Sequence, residues 1–179
     1  IKNVAGMWLL EESLDYWASK GEHYTAAELA KAAADLPRAS VIDANDPIFE
    51  KPGAMPERIA MLCEKSNQVI PASPAAYARC IFDSLADAYV KVLAQLQSAA
   101  GVKINAINIV GGGSANRLLN QLTADATGLP VYAGPTEATV LGSVMVQMQS
   151  VGLINSLNQG RVIIKNSITQ EEFKPKKIS

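Results

Sequence analysis

Apolar residues recur at three- and four-residue spacing through much of the first hundred positions, which predicts a mainly helical first half. The first run predicts a helix over 4–19 that begins without a capping residue and ends before Gly21. Thr25-Ala26-Ala27-Glu28 is a capping box, so a second helix is expected to run to about Leu36 and to end at Pro37.

The next segment, 41–56, is rich in turn signals and opens on residues that would suit a short strand. A third helix is expected over 56–66, because proline suits the first turn of a helix. The longest helix is expected to start at Ser73-Pro74 and to end at Gly101. Its core stripe consists of Ile81, Leu85, Tyr89, Val92 and Leu96.

The pattern changes after position 101, where a β-branched run over 106–110 predicts a buried strand. A helix over 115–127 and a strand over 130–133 follow, which together form a βαβ-like unit. Thr136 is expected to cap a final helix that runs to about Val151. The tail contains a possible edge strand over 161–165.

Three glycines, Gly111, Gly112 and Gly113, separate the strand at 106–110 from the helix that follows it. Glycines at a strand-to-helix junction leave backbone amides free at the start of a helix, where they bind phosphate groups or nucleotides. The alternative is a tight turn that uses glycine for unusual dihedral angles. A single glycine would satisfy that alternative, so three in a row favour the binding site.

The amino-acid composition argues against some classes of function. A chain of 179 residues with 49% hydrophobic and 18% charged residues is typical of one globular domain. The net charge of −1 and an aromatic content of 6% argue against a nucleic-acid partner. No apolar run approaches the roughly 18 residues that span a bilayer, so we expect no membrane partner and a cytoplasmic location.

The residues that several kinds of binding or catalytic site require are missing from the sequence. Asn116 stands where a dinucleotide-binding fingerprint has its third glycine, and no Gly-Lys-Ser or Gly-Lys-Thr phosphate loop is present. The single histidine, His23, has no serine or cysteine partner in a recognisable motif. Cys63 and Cys80 are too few for a zinc site, and they form either two buried thiols or a disulfide. We therefore expect a binding loop but neither a catalytic residue nor a metal site.

Two segments, 111–126 and 128–142, closely resemble the adenosine-binding region of the FGGY carbohydrate kinases. Residues 6–11 and 79–85 are similar to the subgroup that acts on L-rhamnulose. The resemblance implies an α/β fold of the actin-like ATPase (ribonuclease H-like) type, with residues 1–179 forming one nucleotide-binding domain. This would be the C-terminal half of a two-domain sugar kinase, whose N-terminal domain is absent from the chain.

The family also implies roles for individual residues. Gly112 would meet the nucleotide, while Gly111 and Gly113 would let the backbone approach it, and Asn116 would lie beside the adenosine. Glu11 matches a position at which the L-rhamnulose subgroup can carry a glutamine near the nucleotide.

Outside the nucleotide region, Asn3 matches a sugar-contacting asparagine of the family. Cys63 and Cys80 match a cysteine pair of the same subgroup that can form a disulfide, so both alternatives for these thiols stay open.

The implied reaction transfers the γ-phosphate of ATP, with magnesium, to L-rhamnulose and yields L-rhamnulose 1-phosphate. The catalytic aspartate of the family belongs to the N-terminal domain, so the expected partners are ATP, the sugar and that domain, and the chain alone is expected to be inactive. The alternatives are the same domain of another FGGY kinase, such as a fuculokinase, and a non-catalytic actin-like sensor of nucleotide or sugar.

Overall fold

The computed structural model of the chain describes Val4 and residues 6–176. Its first half is helical, as the sequence predicts. The four helices are α1 (Trp8–Ser19), α2 (Ala26–Ala34), α3 (Met55–Lys65) and α4 (Pro74–Ala100). In the described part of the chain, no helix, α4 included, has both the length and the apolar character that crossing a membrane requires.

The second half contains a small sheet and three helices. In chain order these are β1 (Ile107–Ile109), a 3-10 turn (Gly112–Ala115), α5 (Arg117–Thr127), β2 (Val131–Ala133), α6 (Ala138–Ser150), α7 (Leu157–Ser167) and β3 (Glu171–Phe173). β2 is the middle strand: it pairs in parallel with β1, with Ile107 opposite Val131, and antiparallel with β3, with Val131 opposite Phe173.

Predicted capping interactions fix the ends of two helices. The Thr25 hydroxyl accepts a hydrogen bond from the Glu28 amide, and the Glu28 carboxylate accepts one from the Thr25 amide, which forms the complete capping box of α2. Ser73 caps α4 through the Ala76 amide, and Gly101 ends it in the left-handed conformation at φ +65°.

The main core lies between the helices of the first half. Leu9 and Leu10 of α1, Ile59 of α3, and Phe82 and Leu85 of α4 are fully buried in it. A partly buried ion pair also lies on α4, where Arg79 Nε donates to the buried Asp83 Oδ2 at 2.8 Å. The same arginine donates to the Leu36 carbonyl, so it fastens the end of α2 to α4.

A second, smaller core lies between the sheet and α5. It consists of Ala124 of α5, Val131 and Ala133 of β2, and Phe173 of β3, with Ile107 and Ile109 packed against them. The sheet residues on this face alternate with Asn108, Tyr132 and Glu172, which point the other way.

Three predictions for the loops and the tail are wrong. Residues 161–165 lie in α7 rather than in a strand, because Ser156 caps that helix through the Gln159 amide and Val162-Ile163-Ile164 does not alternate with polar residues. The third strand is instead β3, at 171–173.

Segment 41–56 holds a 3-10 turn at Pro47–Phe49, capped by the Asp46 side chain, and no strand. Thr136 does not cap α6, whose N-terminal flanking residue is Glu137 without a side-chain hydrogen bond.

Candidate functional site

The first glycine of the triplet is required by the backbone of this chain. Gly111 has φ +77° and ψ −167°, a conformation that is essentially restricted to glycine. Its amide donates to the Pro135 carbonyl at 2.9 Å. Its carbonyl accepts from both the amide and the hydroxyl of Ser114, at 3.0 and 2.7 Å. Gly111 therefore ties the end of β1 to the turn and to the loop after β2.

The next two glycines are not required by the fold. A Cβ atom at Gly112 or Gly113 would meet no other atom within 4 Å, and neither residue has a positive φ. The first amides of a helical turn lack acceptors within it, and here the first internal bond is donated by Ser114. The Gly112 and Gly113 amides are therefore available to a ligand, at an exposed and a half-buried position respectively.

The start of α5 differs from the expectation in one respect. The glycines lie in a separate 3-10 turn, and Asn116 caps α5 by accepting the Leu119 amide on its Oδ1 at 3.0 Å. The Asn116 Nδ2 atom lies 3.9 Å from the sulfur of Met7. Asn116 therefore joins α5 to the residue that precedes α1, and its side chain stands at the same place as the glycine turn.

Asn120, which sequence reasoning missed, supports the turn from behind. Its side chain is fully buried, and its Nδ2 donates to the Ser114 carbonyl at 2.9 Å. Its Oδ1 is the one buried side-chain oxygen or nitrogen among the described residues that has no hydrogen-bond partner. The signal in the sequence was an amide side chain next to Leu119 on the apolar stripe of α5.

A cleft of about 700 Å³ opens beside this turn. One wall is the alanine face of α2, and the opposite wall is formed by α5 and the segment around β3. The lining residues are Met7, Ala26, Ala27, Ala30, Lys31, Ala34, Gly112, Ala115, Asn116, Arg117, Leu118, Gln121, Phe173 and Lys176. A volume of this size with mainly apolar walls is typical of small-molecule sites.

Three cationic side chains belong to this cleft: Lys31, Arg117 and Lys176. Arg117 forms an exposed ion pair with Glu171 at 2.6 Å, and its guanidinium carbon lies 5.7 Å from the centre of the Phe173 ring. Cations around a cleft with apolar walls raise the local concentration of anionic ligands. The sequence suggested no role for Lys31 or Lys176, because they line the same cleft only once the chain has folded.

The remaining predicted site residues lie elsewhere. Glu11 is exposed on α1 and does not line the cleft, so its contact with a nucleotide stays a prediction. Its neighbour Glu12 is buried and accepts the Gly53 amide at 2.6 Å. Asn3 lies outside the described residues. His23 is exposed between α1 and α2.

Both cysteines are buried free thiols, Cys63 on α3 and Cys80 on α4. Of the two open alternatives the structure contains the reduced pair. Burial raises the pKa of Cys80 to about 12, although hydrogen bonds with Ser40 and Ser84 act in the opposite direction. Cys80 is therefore a neutral thiol at physiological pH.

Curated proteins similar to this chain include three rhamnulokinases. The protein of Enterococcus faecalis is 40% identical over 97% of the chain, that of Oceanobacillus iheyensis 38% over 93%, and that of Bacteroides thetaiotaomicron 38% over 98%. The chain spans only 35–36% of the length of these relatives.

The fold is also found in a solved structure. A xylulose kinase from Rhodospirillum rubrum superposes with a TM-score of 0.60 at 18% identity, over 96% of this chain and 34% of that one. This likeness confirms the predicted α/β fold of the actin-like ATPase type. Residues 1–151 match the family described as "FGGY family of carbohydrate kinases, C-terminal domain". The chain therefore belongs to the FGGY family of carbohydrate kinases.

Proposed function

We propose that this chain is the nucleotide-binding part of an ATP-dependent sugar kinase and that the adenosine of ATP or ADP occupies the cleft between α2 and α5. The observation that carries the proposal is Gly112, which lines the cleft although the fold does not need a glycine there. A glycine without a structural role at the mouth of a cleft suits the close approach of a ligand to the backbone.

The cleft offers each part of a nucleotide a suitable surface. The α2 alanines and Leu118 provide an apolar slot for a flat base. The amides of Gly112 and Gly113 provide hydrogen-bond donors for phosphate oxygens. Lys31, Arg117 and Lys176 provide positive charge around them. In this proposal Asn116 lies beside the adenosine and Gly111 fixes the position of the turn.

We further propose that the sugar is L-rhamnulose and the product is L-rhamnulose 1-phosphate. The support is the name shared by relatives that are 35–40% identical to this chain. The same domain in a kinase for another sugar is the alternative, since the predicted sugar contact Asn3 is a single residue. Phosphoryl transfer requires positioning of both substrates and a residue that accepts the proton of the attacking hydroxyl.

We assign that proton acceptor to a separate N-terminal domain and treat residues 1–179 as one nucleotide-binding domain. The relatives, of which the chain spans about 35%, leave room for such a domain. In this arrangement the chain binds and orients the nucleotide, and phosphate transfer occurs only when the second domain presents the sugar.

Magnesium would have to be held mainly by the nucleotide and by the rest of the protein. Across residues 4 and 6–176, no three histidine, cysteine, aspartate or glutamate side chains come together as a metal site. Magnesium that accompanies ATP typically binds phosphate oxygens, water and one or two carboxylates. We therefore assign no step to the metal in this chain.

The binding test is a calorimetric titration of the chain with ADP. We expect a dissociation constant on the order of 100 μM or weaker, because half of the site is missing. Gly112→Val should abolish detectable binding, because a branched side chain would occupy the approach to the backbone.

Gly142→Val is the matched control for the titration, since Gly142 also has open space around its Cβ position but does not line the cleft. Equal ADP affinity of Gly112→Val and wild type would refute the proposed site.

The catalytic test compares the chain with the full-length product of its gene. With L-rhamnulose and MgATP, the full-length protein should form ADP, whereas the chain alone should give no turnover above background. Turnover by the rigorously purified chain would contradict the assignment of the proton acceptor to another domain. Preference of the full-length protein for a different sugar would refute L-rhamnulose while leaving the nucleotide site intact.

A further inference from the structure

The tail segment, which we define as residues 170–176, is attached to the rest of the second half along its whole length. β3 within it pairs with β2, and Phe173 is buried in the small core. Just before β3, the side-chain amide of Gln170 donates to the Gly134 carbonyl at 3.2 Å. Strand pairing and core packing therefore account for the path of the segment as far as Phe173.

Beyond Phe173 the tail segment continues along α5, where two polar side chains hold it. Gln121 Nε2 donates to the Lys174 carbonyl at 2.9 Å and to Asp125 Oδ1 at 2.8 Å. The same oxygen of Asp125 accepts the Lys176 amide at 2.7 Å. Lys176 is exposed and belongs to neither core, so these bonds are not needed to pack the fold. They place Lys176 where it lines the cleft between α2 and α5.

The order of residues along α5 decides which part of a bound nucleotide lies near the tail segment. The glycine turn precedes α5, Leu118 lines the cleft in the first turn of that helix, and Gln121 lines it about one turn further on. Asp125 follows Arg117 by eight residues and so lies about 12 Å further along the helix axis. A nucleotide with its phosphates on the glycine turn and its base beside Leu118 therefore directs the base toward the tail segment.

We propose that the tail segment closes the end of the cleft at which the base lies, and that Lys176 donates a hydrogen bond to a ring nitrogen of adenine. Gln121 and Asp125 act as positioning residues for Lys176. The inference rests on the nucleotide site proposed above, but it lies outside residues 1–151, the part of the chain that matches the family.

The chemistry of the two groups fits this contact. A lysine ammonium group can only donate hydrogen bonds, and the unsubstituted ring nitrogens of adenine accept them. The charge of Lys176 also adds to the positive field of the cleft, which acts on the phosphates from a distance. Its direct contact is with the base, because its backbone is held at the Asp125 end of α5.

The test is a calorimetric titration of the full-length protein with adenosine and with ADP. Lys176→Met keeps the length of the side chain and removes its donor, so the dissociation constants of both ligands should rise to a similar extent, by about tenfold. Lys174→Met is the matched control. That side chain is 76% exposed, pairs with Glu172 and does not line the cleft, so both affinities should stay unchanged.

The two ligands separate the possible outcomes. A loss of affinity for ADP alone would place Lys176 at the phosphates and overturn its assignment to the base. Unchanged affinities for both ligands would overturn the contact while leaving the nucleotide site intact. Absence of ADP binding by the unmodified full-length protein would refute the nucleotide site itself and this inference with it.

A second set of variants tests the positioning role of Asp125. Asp125→Ala removes the acceptor of the Lys176 amide and should raise the dissociation constant of adenosine about threefold, whereas Asp125→Asn keeps an oxygen at this place and should bind as the unmodified protein does. Adding Asp125→Ala to Lys176→Met should cause no further loss, because Asp125 acts through Lys176. Fully additive losses in the double variant would overturn the positioning role.

Discussion

The helical layer of α1–α4 and the sheet layer of β1–β3 with α5 differ in how they are stabilised. Among the residues that the structure describes, the helical layer has a core of 17 buried apolar residues, one of which, Leu119, comes from α5, whereas the core between α5 and the sheet has four. The glycine turn lies at the end of β1 in the sheet layer, and α2 of the helical layer supplies the opposite wall of the cleft. We therefore expect the helical layer to contribute most of the stability. The sheet layer provides the backbone that a ligand can approach.

The largest predicted effect is in the helical layer. Phe82→Ala should lower the free energy of unfolding by about 3–5 kcal/mol, because Phe82 is fully buried in the first half of α4. Leu96→Ala is the control on the same helix. The sequence placed Leu96 on the core stripe, but the structure leaves it 44% exposed, so this variant should change stability by less than about 1 kcal/mol. Urea denaturation measures both. A small loss of stability for Phe82→Ala would show that the core of the helical layer does not dominate the stability of the chain.

The glycine turn should separate stability from binding within two adjacent residues. Gly111→Ala should destabilise the chain by about 1–3 kcal/mol, because alanine is strained at φ +77°. Gly112→Ala should leave stability within about 0.5 kcal/mol of wild type, since its Cβ would meet open space. Thermal denaturation of the two variants provides the comparison. Equal losses would mean that the fold requires both glycines and that neither is kept for a ligand.

Asn120 should affect ligand binding more than stability. Asn120→Leu removes the hydrogen bond to the Ser114 carbonyl, but it also removes the buried Oδ1 that has no partner. These effects on stability offset each other to within about 1 kcal/mol. Without this hydrogen bond the glycine turn is held less firmly, so the dissociation constant for ADP should rise about tenfold. A tenfold rise corresponds to a loss of about 1.4 kcal/mol in binding free energy. Unchanged ADP affinity would show that the turn is held in place without Asn120.

The smallest predicted effect is a pH dependence of stability that arises from the Cys80 thiol. Its pKa is about 12 in the folded chain against 9.0 for an unperturbed thiol, so the folded state keeps the proton that the unfolded state loses. Stability should therefore fall as pH rises through this window, by about 0.8 kcal/mol between about pH 8 and about pH 9.5. Cys80→Ala should lose this component of the slope in urea titrations. An identical slope in the variant would show that the Cys80 thiol is not responsible.

The sequence predicted the helical layer well because its signals are local. The capping box at Thr25 and the stop at Gly101 depend on neighbours within four residues, and both occur as expected. The tail was predicted poorly because β3 is defined by its pairing with β2, about forty residues away. A short strand such as Glu171–Phe173 has no periodicity of its own to reveal it.

The candidate site shows the same division between local and distant information. The glycine triplet was visible as a motif, but the sequence could not tell which glycine the fold requires. That distinction depends on the dihedral angles of Gly111 and on the open space around Gly112. The opposite wall could not be predicted either, because the alanines of α2 approach Leu118 only through tertiary packing.

The alanine wall of α2 has a consequence for the thermodynamics of binding. Alanine has no side-chain rotamers to lose, so a ligand that packs against Ala26, Ala27, Ala30 and Ala34 freezes no torsions there. The entropic cost of ordering side chains then falls on the long cations of the cleft, at roughly 0.5–1.5 kcal/mol for each one immobilised. The two sides of the cleft would thus differ in calorimetric signature, with a preformed slot for the base and an adaptable set of charges for the phosphates.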